Sequence, residues 1–473
     1  AVQASTYDLH KISENSSKMI VEGYIIEKLA AIDKNGNTVP ELAESWDVSE
    51  DQQEFVFHLR RGVTFHDGTP FNADAVVSSM NRWIESFGNA SDIAGSARFE
   101  KIDDYTVRIS LPSPAAAFVD IIAGGGNPAG ITTVAANTEL DSKGFWKDII
   151  GTGPYRLKEL VQQQYIVLER FEDYVPYGDP NVLDNGKAGY KAAKIKNLIF
   201  HYVSDTATRV AGLETGQYDA AFGISTDDYD RLVRNPDLTV ITATNGVATI
   251  NFNKRQGLMT NANLRQAVNY AIDCEALMRA SYGEHFELDS SYMEKGQPWY
   301  SLAGEAYYNQ HDLKKAKEYL AKANYKGELV RLIAASSIGL PVVLKQQLET
   351  VGFNIDYVIV NSVNVTRNDP GVWEIFTSSW VQHPIPPLKP WLAGNFAGWA
   401  DDPELQEYHR KFYAAKSVEE AKKIWDEAQL YCWKDYLPII SVGHQNNIYA
   451  WSKKTEGVIV KEGLFFWNAV IRE

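Results

Sequence analysis

Between Leu329 and Val360 the hydrophobic period of the chain changes twice, and few folds accommodate that. Residues 329–335 form an apolar run of strand length. Pro341 suits a first helical turn, Leu344, Leu348 and Val351 hold one face at helical spacing, and Gly352 supplies a stop. Residues 355–360 then resume extension. Strand, helix and strand within about 30 residues make a βαβ unit, whose two strands lie parallel with a right-handed crossover. The fold class is therefore α/β.

The rest of the chain gives shorter signals. Met19, Ile20, Tyr24, Ile25 and Leu29 recur at helical spacing, so the first 60 residues belong to a core. Residues 54–59 alternate, with Phe55, Phe57 and Leu59 on one face, and a second alternating strand runs over 105–111. Between them Asn72 is placed to cap a helix carrying Val76, Met80, Trp83 and Ile84. Short helices are expected at 205–213 and 227–233. Asp402-Pro403 opens another, with Leu405, Tyr408 and Phe412 inward. Ser417 and Glu420 form a capping box for a longer one, with Ala421, Ile424, Trp425, Ala428 and Cys432 on its inner face. The 473 residues suit two to four domains. With no linker rich in Gly, Pro or Ser, these are joined by short ordered crossings.

Composition removes several functions. The net charge is -15, from 46 basic and 61 acidic side chains, which repels phosphate backbones, so no nucleic-acid partner is expected. No window approaches 18 consecutive apolar residues. Cys274 and Cys432 are too few for a disulfide framework or a Cys-based zinc site and read as unpaired core residues. The phosphate loop, the HExxH zinc helix and the GxSxG elbow are missing from the sequence. Gly124 to Ala129 formally satisfies GxGxxA, but Pro128 stands where the helix should already run. Gly151-Thr-Gly-Pro-Tyr155 reads as a turn. The nine histidines are scattered, and His58 reads as a surface side chain on its strand. The pairs Asp103-Asp104, Asp227-Asp228 and Asp401-Asp402 fall at turns and helix starts, where they complement free N–H groups. No catalytic residues, cofactor or metal are indicated. Ala1 in place of Met fits a trimmed chain or a mature one whose signal peptide has gone.

Residues 373–399 hold four of the twelve tryptophans, Trp373, Trp380, Trp391 and Trp399, stiffened by Pro384, Pro386, Pro387 and Pro390. Such a segment cannot pack as one regular element. Its rings are either displayed for ligand stacking or used to pin the loop to the body.

At Glu41-Leu-Ala-Glu-Ser-Trp46, Phe55-Val-Phe-His-Leu-Arg-Arg-Gly-Val-Thr-Phe-His-Asp-Gly-Thr-Pro-Phe71 and Ala73-Asp-Ala-Val-Val77, the chain resembles the family 5 extracellular solute-binding proteins, the dipeptide, oligopeptide and nickel receptors of ABC importers. Gly151-Thr-Gly-Pro-Tyr155, Gly212-Leu-Glu-Thr-Gly-Gln-Tyr-Asp219, Asn251-Phe-Asn253 and Leu264-Arg-Gln-Ala-Val-Asn-Tyr-Ala-Ile-Asp273 continue the match in order. The resemblance implies a two-lobed periplasmic-binding-protein fold of type II. Residues 1–254 with 441–473 would form the first lobe, including an extra subdomain at about 33–170, and residues 255–440 the second. It implies a monomer, not an enzyme, that closes about a hinge over a small solute in the interlobe cleft and presents it to a membrane permease. It also implies a periplasmic location, or a lipid anchor if a Cys upstream of Ala1 was removed.

The ligand-facing positions depart from the family pattern. The Asp that pairs with a peptide ammonium falls at His383 when the chains are aligned on Trp380, and the stretch 336–341, which should carry an Arg for the peptide carboxylate, has none. A buried ammonium without its carboxylate loses about 3 to 5 kcal/mol, two to three decades of affinity. A zwitterionic dipeptide held at both ends is thus disfavoured. His383 with Gln382, Ser378 and Ser379 offers mixed donors and acceptors, with Trp380 and Trp399 as stacking candidates. From the first lobe Ser16, Ser17 and Asn127 are expected to face the ligand, and Ser16 and Ser17 serve equally as helix caps. A peptide or peptide-like solute leads. An oligosaccharide or other polar solute follows, then a secreted carbohydrate-active enzyme and a heme or protein-partner chaperone. His383, His409 and His444 lack metal-ligand spacing.

Overall fold

A computed structural model describes the chain apart from residues 1–5, 12–14, 125–127, 336–338, 381–384, 462 and 473, and apart from the side chains of residues 15–17, 88, 89, 92, 245, 364, 365, 388 and 390. The chain divides into two compact units, Ala1–Ala243 with Tyr413–Val418 and Ile448–Glu473, and Thr244–Phe412 with Glu419–Asn447.

In the first unit, the strand Glu54–Leu59 buries Phe55, Phe57 and Leu59, as its alternation requires. It lies in an antiparallel sheet ordered Ala43–Val48, Glu54–Leu59, Thr106–Ser110, Phe99–Asp103. The helix Ala73–Ser86 is capped by Asn72, whose side chain accepts from Ala75 N at 3.2 Å, and it buries Val76, Met80, Trp83 and Ile84. A second antiparallel sheet joins Tyr155–Val161, Tyr165–Arg170 and Asn197–His201. It packs with Tyr24, Ile25, Phe465 and Trp467 into one core. The helical spacing of residues 19–29 is realised as a short α-helix, Asn15–Ile20, that widens into a π-turn, Val21–Ile25. Asp205 caps the helix Thr206–Glu214, and the 227–233 signal becomes a 3-10 turn, Thr226–Asp228, followed by Tyr229–Val233.

Motif residues of the first unit meet in one buried polar network. Glu41 accepts from Lys28 N at 2.8 Å and from Lys191 Nζ at 2.9 Å. Glu27 accepts from Thr152 Oγ1 and Tyr174 Oη, both at 2.9 Å, and lies 3.6 Å from Lys191 Nζ. Burial raises the Glu27 carboxyl above its usual range, opposed by Lys191. His66 ties two further motifs together: its Nδ1 accepts from Gly151 N at 3.2 Å and its Nε2 donates to Gly153 O at 3.0 Å. That pattern fixes a neutral imidazole, and burial lowers its pKa to about 4. Gly151 and Gly153 are needed for close approach, since a Cβ on either would sit 2.0 Å from Ile25 O or 2.5 Å from Tyr24 O.

The second unit contains the expected βαβ unit. Leu329–Ala334 and Asn354–Ile359 pair in parallel, joined by the helix Leu340–Val351, which has Pro341 in its first turn and Gly352 in the left-handed region (φ 110°) after its last. Ile375–Trp380 extends this sheet, parallel to Leu329–Ala334 and antiparallel to residues 247–252. The helix Pro403–Tyr413 buries Leu405 and Phe412. Val418–Tyr431 buries Ala421, Trp425 and Ala428, then gives way to a π-turn, Cys432–Tyr436, so Cys432 reaches the core from an irregular turn instead of the expected helix. Cys274 and Cys432 are free and buried.

Candidate ligand site

The strand Ile375–Trp380 carries two of the residues expected to face the ligand, Ser378 and Trp380. Its apolar start, Ile375 and Phe376, is buried in the sheet, and its polar end, Thr377 to Ser379, emerges towards Trp380. Thr249, opposite Ser378, is fully buried and organises this end. Its Oγ1 accepts from Trp380 Nε1 at 2.8 Å and from Asn251 Nδ2 at 2.9 Å, and donates to Ser378 O at 3.3 Å. All of its hydrogen-bonding capacity is used, so the Trp380 indole is held in one orientation. Ser379 Oγ donates to Gln445 Oε1 at 2.6 Å, and Thr244 Oγ1 to Asn446 Oδ1 at 2.9 Å, extending a polar row along the same strand ends.

The aromatic rings divide between the two roles open to them. Trp373, Trp391 and Trp399 are buried, at 2%, 2% and 6% exposure. Trp373 and Trp399 stack at 5.9 Å with planes 21° apart, and the Arg255 guanidinium covers Trp399 at 5.3 Å. These rings pin the segment. Trp380 is half-buried and meets Trp391 at 5.5 Å and Phe396 edge-on at 5.3 Å. Arg367 packs on this cluster, its guanidinium 4.9 Å from the Trp380 ring centre and 4.6 Å from that of Phe396. Burial alone lowers its pKa to about 10. Lys389 is also buried, with Nζ 5.0 Å from the Trp391 ring, and burial brings its amine down to about 7 against the attraction of Glu294.

The structure thus joins Ser378 and Trp380 on one strand and sets Trp399 apart, stacked on Trp373. Gln382, His383 and Asn127 lie outside the described residues, as do residues 336–338 of the stretch without an Arg. Ser16 and Ser17 fall in the helix Asn15–Ile20, their side chains outside the described set. Nearby, Lys28 Nζ donates to Gly124 O at 2.9 Å and pairs with buried Glu22 at 2.7 Å, and Lys28 holds that carboxyl down near 2 despite its burial. Sequence reasoning missed Thr249, Arg367, Lys389 and Phe396. A single Thr in a strand and a single Arg in a polar stretch carry no pattern, so the sequence held no signal for them.

The first unit has a cavity of about 460 Å³ lined by Leu198, Phe200, Tyr218, Phe222 and Arg209. Both terminal nitrogens of Arg209 are used on carbonyls, at 2.6 Å to Val203 O and 2.6 Å to Gly223 O, so this cavity is a mostly apolar recess.

The sequence model of the bacterial extracellular solute-binding proteins, family 5 Middle, matches residues 37–398. The chain belongs to this family. Among family 5 relatives, a protein named "Probable peptide ABC transporter periplasmic-binding protein" from Sinorhizobium fredii is 26% identical over 94% of this chain and 87% of its own length. The glutathione-binding protein of Salmonella choleraesuis is 28% identical over 68% of this chain, a match spanning 60% of the relative. Among solved structures, the dipeptide-binding protein of Pseudoalteromonas sp. SM9913 in complex with Met-Leu superposes with a TM-score of 0.82, covering 100% of this chain and 99% of that one at 20% identity. The fold is that of the two-lobed periplasmic binding proteins, and the family's role is solute capture. Among the described residues no helix is long and apolar enough to cross a membrane.

Proposed function

We propose that this family 5 protein is the extracytoplasmic receptor of an ABC importer for peptides or peptide-like solutes. The two units act as its lobes, closing about a hinge over one solute and presenting it to the membrane permease. The observation that carries the reading is the family match over residues 37–398, joined to relatives named for peptide and glutathione binding. Those names favour peptides over the oligosaccharide alternative. A half-buried Trp380, fixed through Thr249 and bordered by Ser378, Ser379 and Gln445, supplies a ring face and polar groups suited to a peptide backbone. Binding by contacts alone accounts for the family role, and no acid–base pair is required.

The test is a thermal-shift screen of the purified protein against dipeptides, tripeptides including glutathione, and neutral oligosaccharides. A peptide present at 100 times its Kd should stabilise the fold by about 2.7 kcal/mol, which moves the melting temperature by several degrees. Stabilisation by oligosaccharides alone would transfer the receptor role to sugars.

A further inference from the structure

Among the described residues Arg367 has no counter-ion. It follows the helical turn Val363–Thr366, and its guanidinium is wedged against the Trp380 and Phe396 rings at 4.9 and 4.6 Å. Its Nε and Nη1 are buried and make no hydrogen bond, and among the described residues no carboxylate offsets its burial. Arg108 and Arg209 also bury an unpaired Nε, but each bonds through its terminal nitrogens, Arg108 to Glu100 and Arg209 to Val203 O and Gly223 O. Arg82 pairs with Asp8, with Nη1 to Oδ1 at 3.0 Å, and Arg265 donates to the carbonyls of Met259, Thr260, Tyr436 and Leu437. Carboxylates are not scarce in a chain with 61 acidic side chains against 46 basic ones, yet none is placed here. Contact with two rings recovers part of the desolvation loss, but an aromatic face leaves the charge un-neutralised. Lys389, over the neighbouring Trp391 ring, adds a second basic group to the cluster and no carboxylate. A cation held this way on a half-buried ring is set up for an anion that arrives from outside.

We propose that Arg367 is the anion anchor of the solute site, receiving a carboxylate of the bound molecule beside the Trp380 ring, so that the receptor selects solutes presenting a negative group to the second unit. The inference rests on the reading that solute is captured at the polar end of the strand Ile375–Trp380. It makes Arg367 a specificity determinant and reverses the polarity expected of an ammonium-binding position in this region. A peptide would meet this unit through a terminal or side-chain carboxylate.

The experiment is calorimetric titration with glutathione and Met-Leu, each as the free acid and with its carboxylates amidated, and with maltotriose as a neutral solute, against the wild type, Arg367→Gln and Arg367→Lys. In the wild type at least one free acid should bind roughly 10- to 100-fold more tightly than its amide, the worth of one charge-assisted contact. Arg367→Gln should abolish that ratio, lowering acid affinity and leaving the amide unchanged, while Arg367→Lys should retain part of it because the charge remains. Circular dichroism of both variants establishes folding, and the acid-to-amide ratio does not respond to a purely structural loss. Equal binding of acid and amide by the wild type, or a ratio that survives in a folded Arg367→Gln, overturns the anchor and leaves the peptide receptor standing. Binding of maltotriose alone, or of none of these acids at millimolar concentration, overturns the anchor together with the reading beneath it.

Discussion

Thr249 shows how one small side chain fixes an aromatic ring. Its hydroxyl accepts from the Trp380 indole and the Asn251 amide and donates to the Ser378 carbonyl, all within a buried strand pair. Thr249→Val preserves shape and removes every one of these bonds, leaving the Trp380 indole N–H without an acceptor and Asn251 Nδ2 with only its longer bond to Phe376 O at 3.4 Å. We expect a loss of about 1 to 3 kcal/mol, the cost of one orphaned donor that cannot reach water. Urea denaturation should show an earlier midpoint at unchanged slope, and Trp380, freed from its anchor, should bind solute more weakly. A midpoint unchanged from wild type would show that the hydroxyl is dispensable. The same scale explains what the sequence revealed of function. Glu41, Thr152 and His66, which stand in the motifs that announce the family, are tied into buried polar contacts that hold loops to the core. The motifs therefore identify the scaffold and are silent on the solute. Arg367, which faces the aromatic cluster, lies in none of them.

At the scale of elements, legibility followed periodicity. The βαβ unit, the strand Glu54–Leu59 and the helix Ala73–Ser86 were readable because burial on one face imposes a period of two or 3.6 on the sequence. The π-turns Val21–Ile25 and Cys432–Tyr436 were not, since one extra residue per turn leaves the apolar spacing nearly intact. Nor was the allocation of the tryptophans, because a Pro-rich segment has no period and only tertiary contacts decide that Trp399 stacks on Trp373 while Trp380 stays half-buried. Gly151-Thr-Gly-Pro-Tyr155 illustrates a residue type read correctly for an incomplete reason. The sequence pattern reads as a bend, and its glycines serve close packing against the first π-turn. Gly151→Ala would place a methyl 2.0 Å from Ile25 O, a backbone atom that cannot rotate away, so the strands and the turn must part. The expected cost is about 3 kcal/mol, the upper end usual for overpacking, read as a lowered melting temperature. Gly68→Ala is the control. It has open space around it and a positive φ of 84°, so it should lose only about 1 to 2 kcal/mol from backbone strain. Equal losses at the two sites would remove the close-approach argument.

For the whole molecule, the buried histidines set the response to acid. His10 and His66 in the first unit and His409 in the second all have their pKa lowered to about 4, with burial as the leading cause, and for His10 the Arg82 guanidinium adds to it. His10 Nε2 donates to Gly130 O at 2.9 Å while Nδ1 takes a bond from Arg82 at 3.0 Å, so a second proton would displace an arginine. Unfolded histidine titrates near 6.5, well above these folded values, so between the two pH values the unfolded chain binds more protons. Stability is then complete above pH 6.5, falls as pH drops through 6.5 towards 4, and levels off for these groups below about 4. A depression from 6.5 to about 4 is worth about 3 kcal/mol per histidine, so three together reach about 10 kcal/mol, the size of a typical total stability. Glu27, raised by burial, works in the opposite direction and offsets part of this loss as the pH falls through its raised pKa. The slope of unfolding free energy against pH from urea titrations at pH 7.5, 6.0 and 5.0 measures the balance. A net uptake of two to three protons on unfolding is expected near pH 5. His66→Gln, whose amide can replace one of the two ring bonds, should reduce that uptake by about one proton even though it also destabilises the fold. A flat profile between pH 7.5 and 5.0 would mean that these imidazoles are protonated in the native state, and with it the neutral tautomers that hold residues 66 and 151–153 together would have to be abandoned.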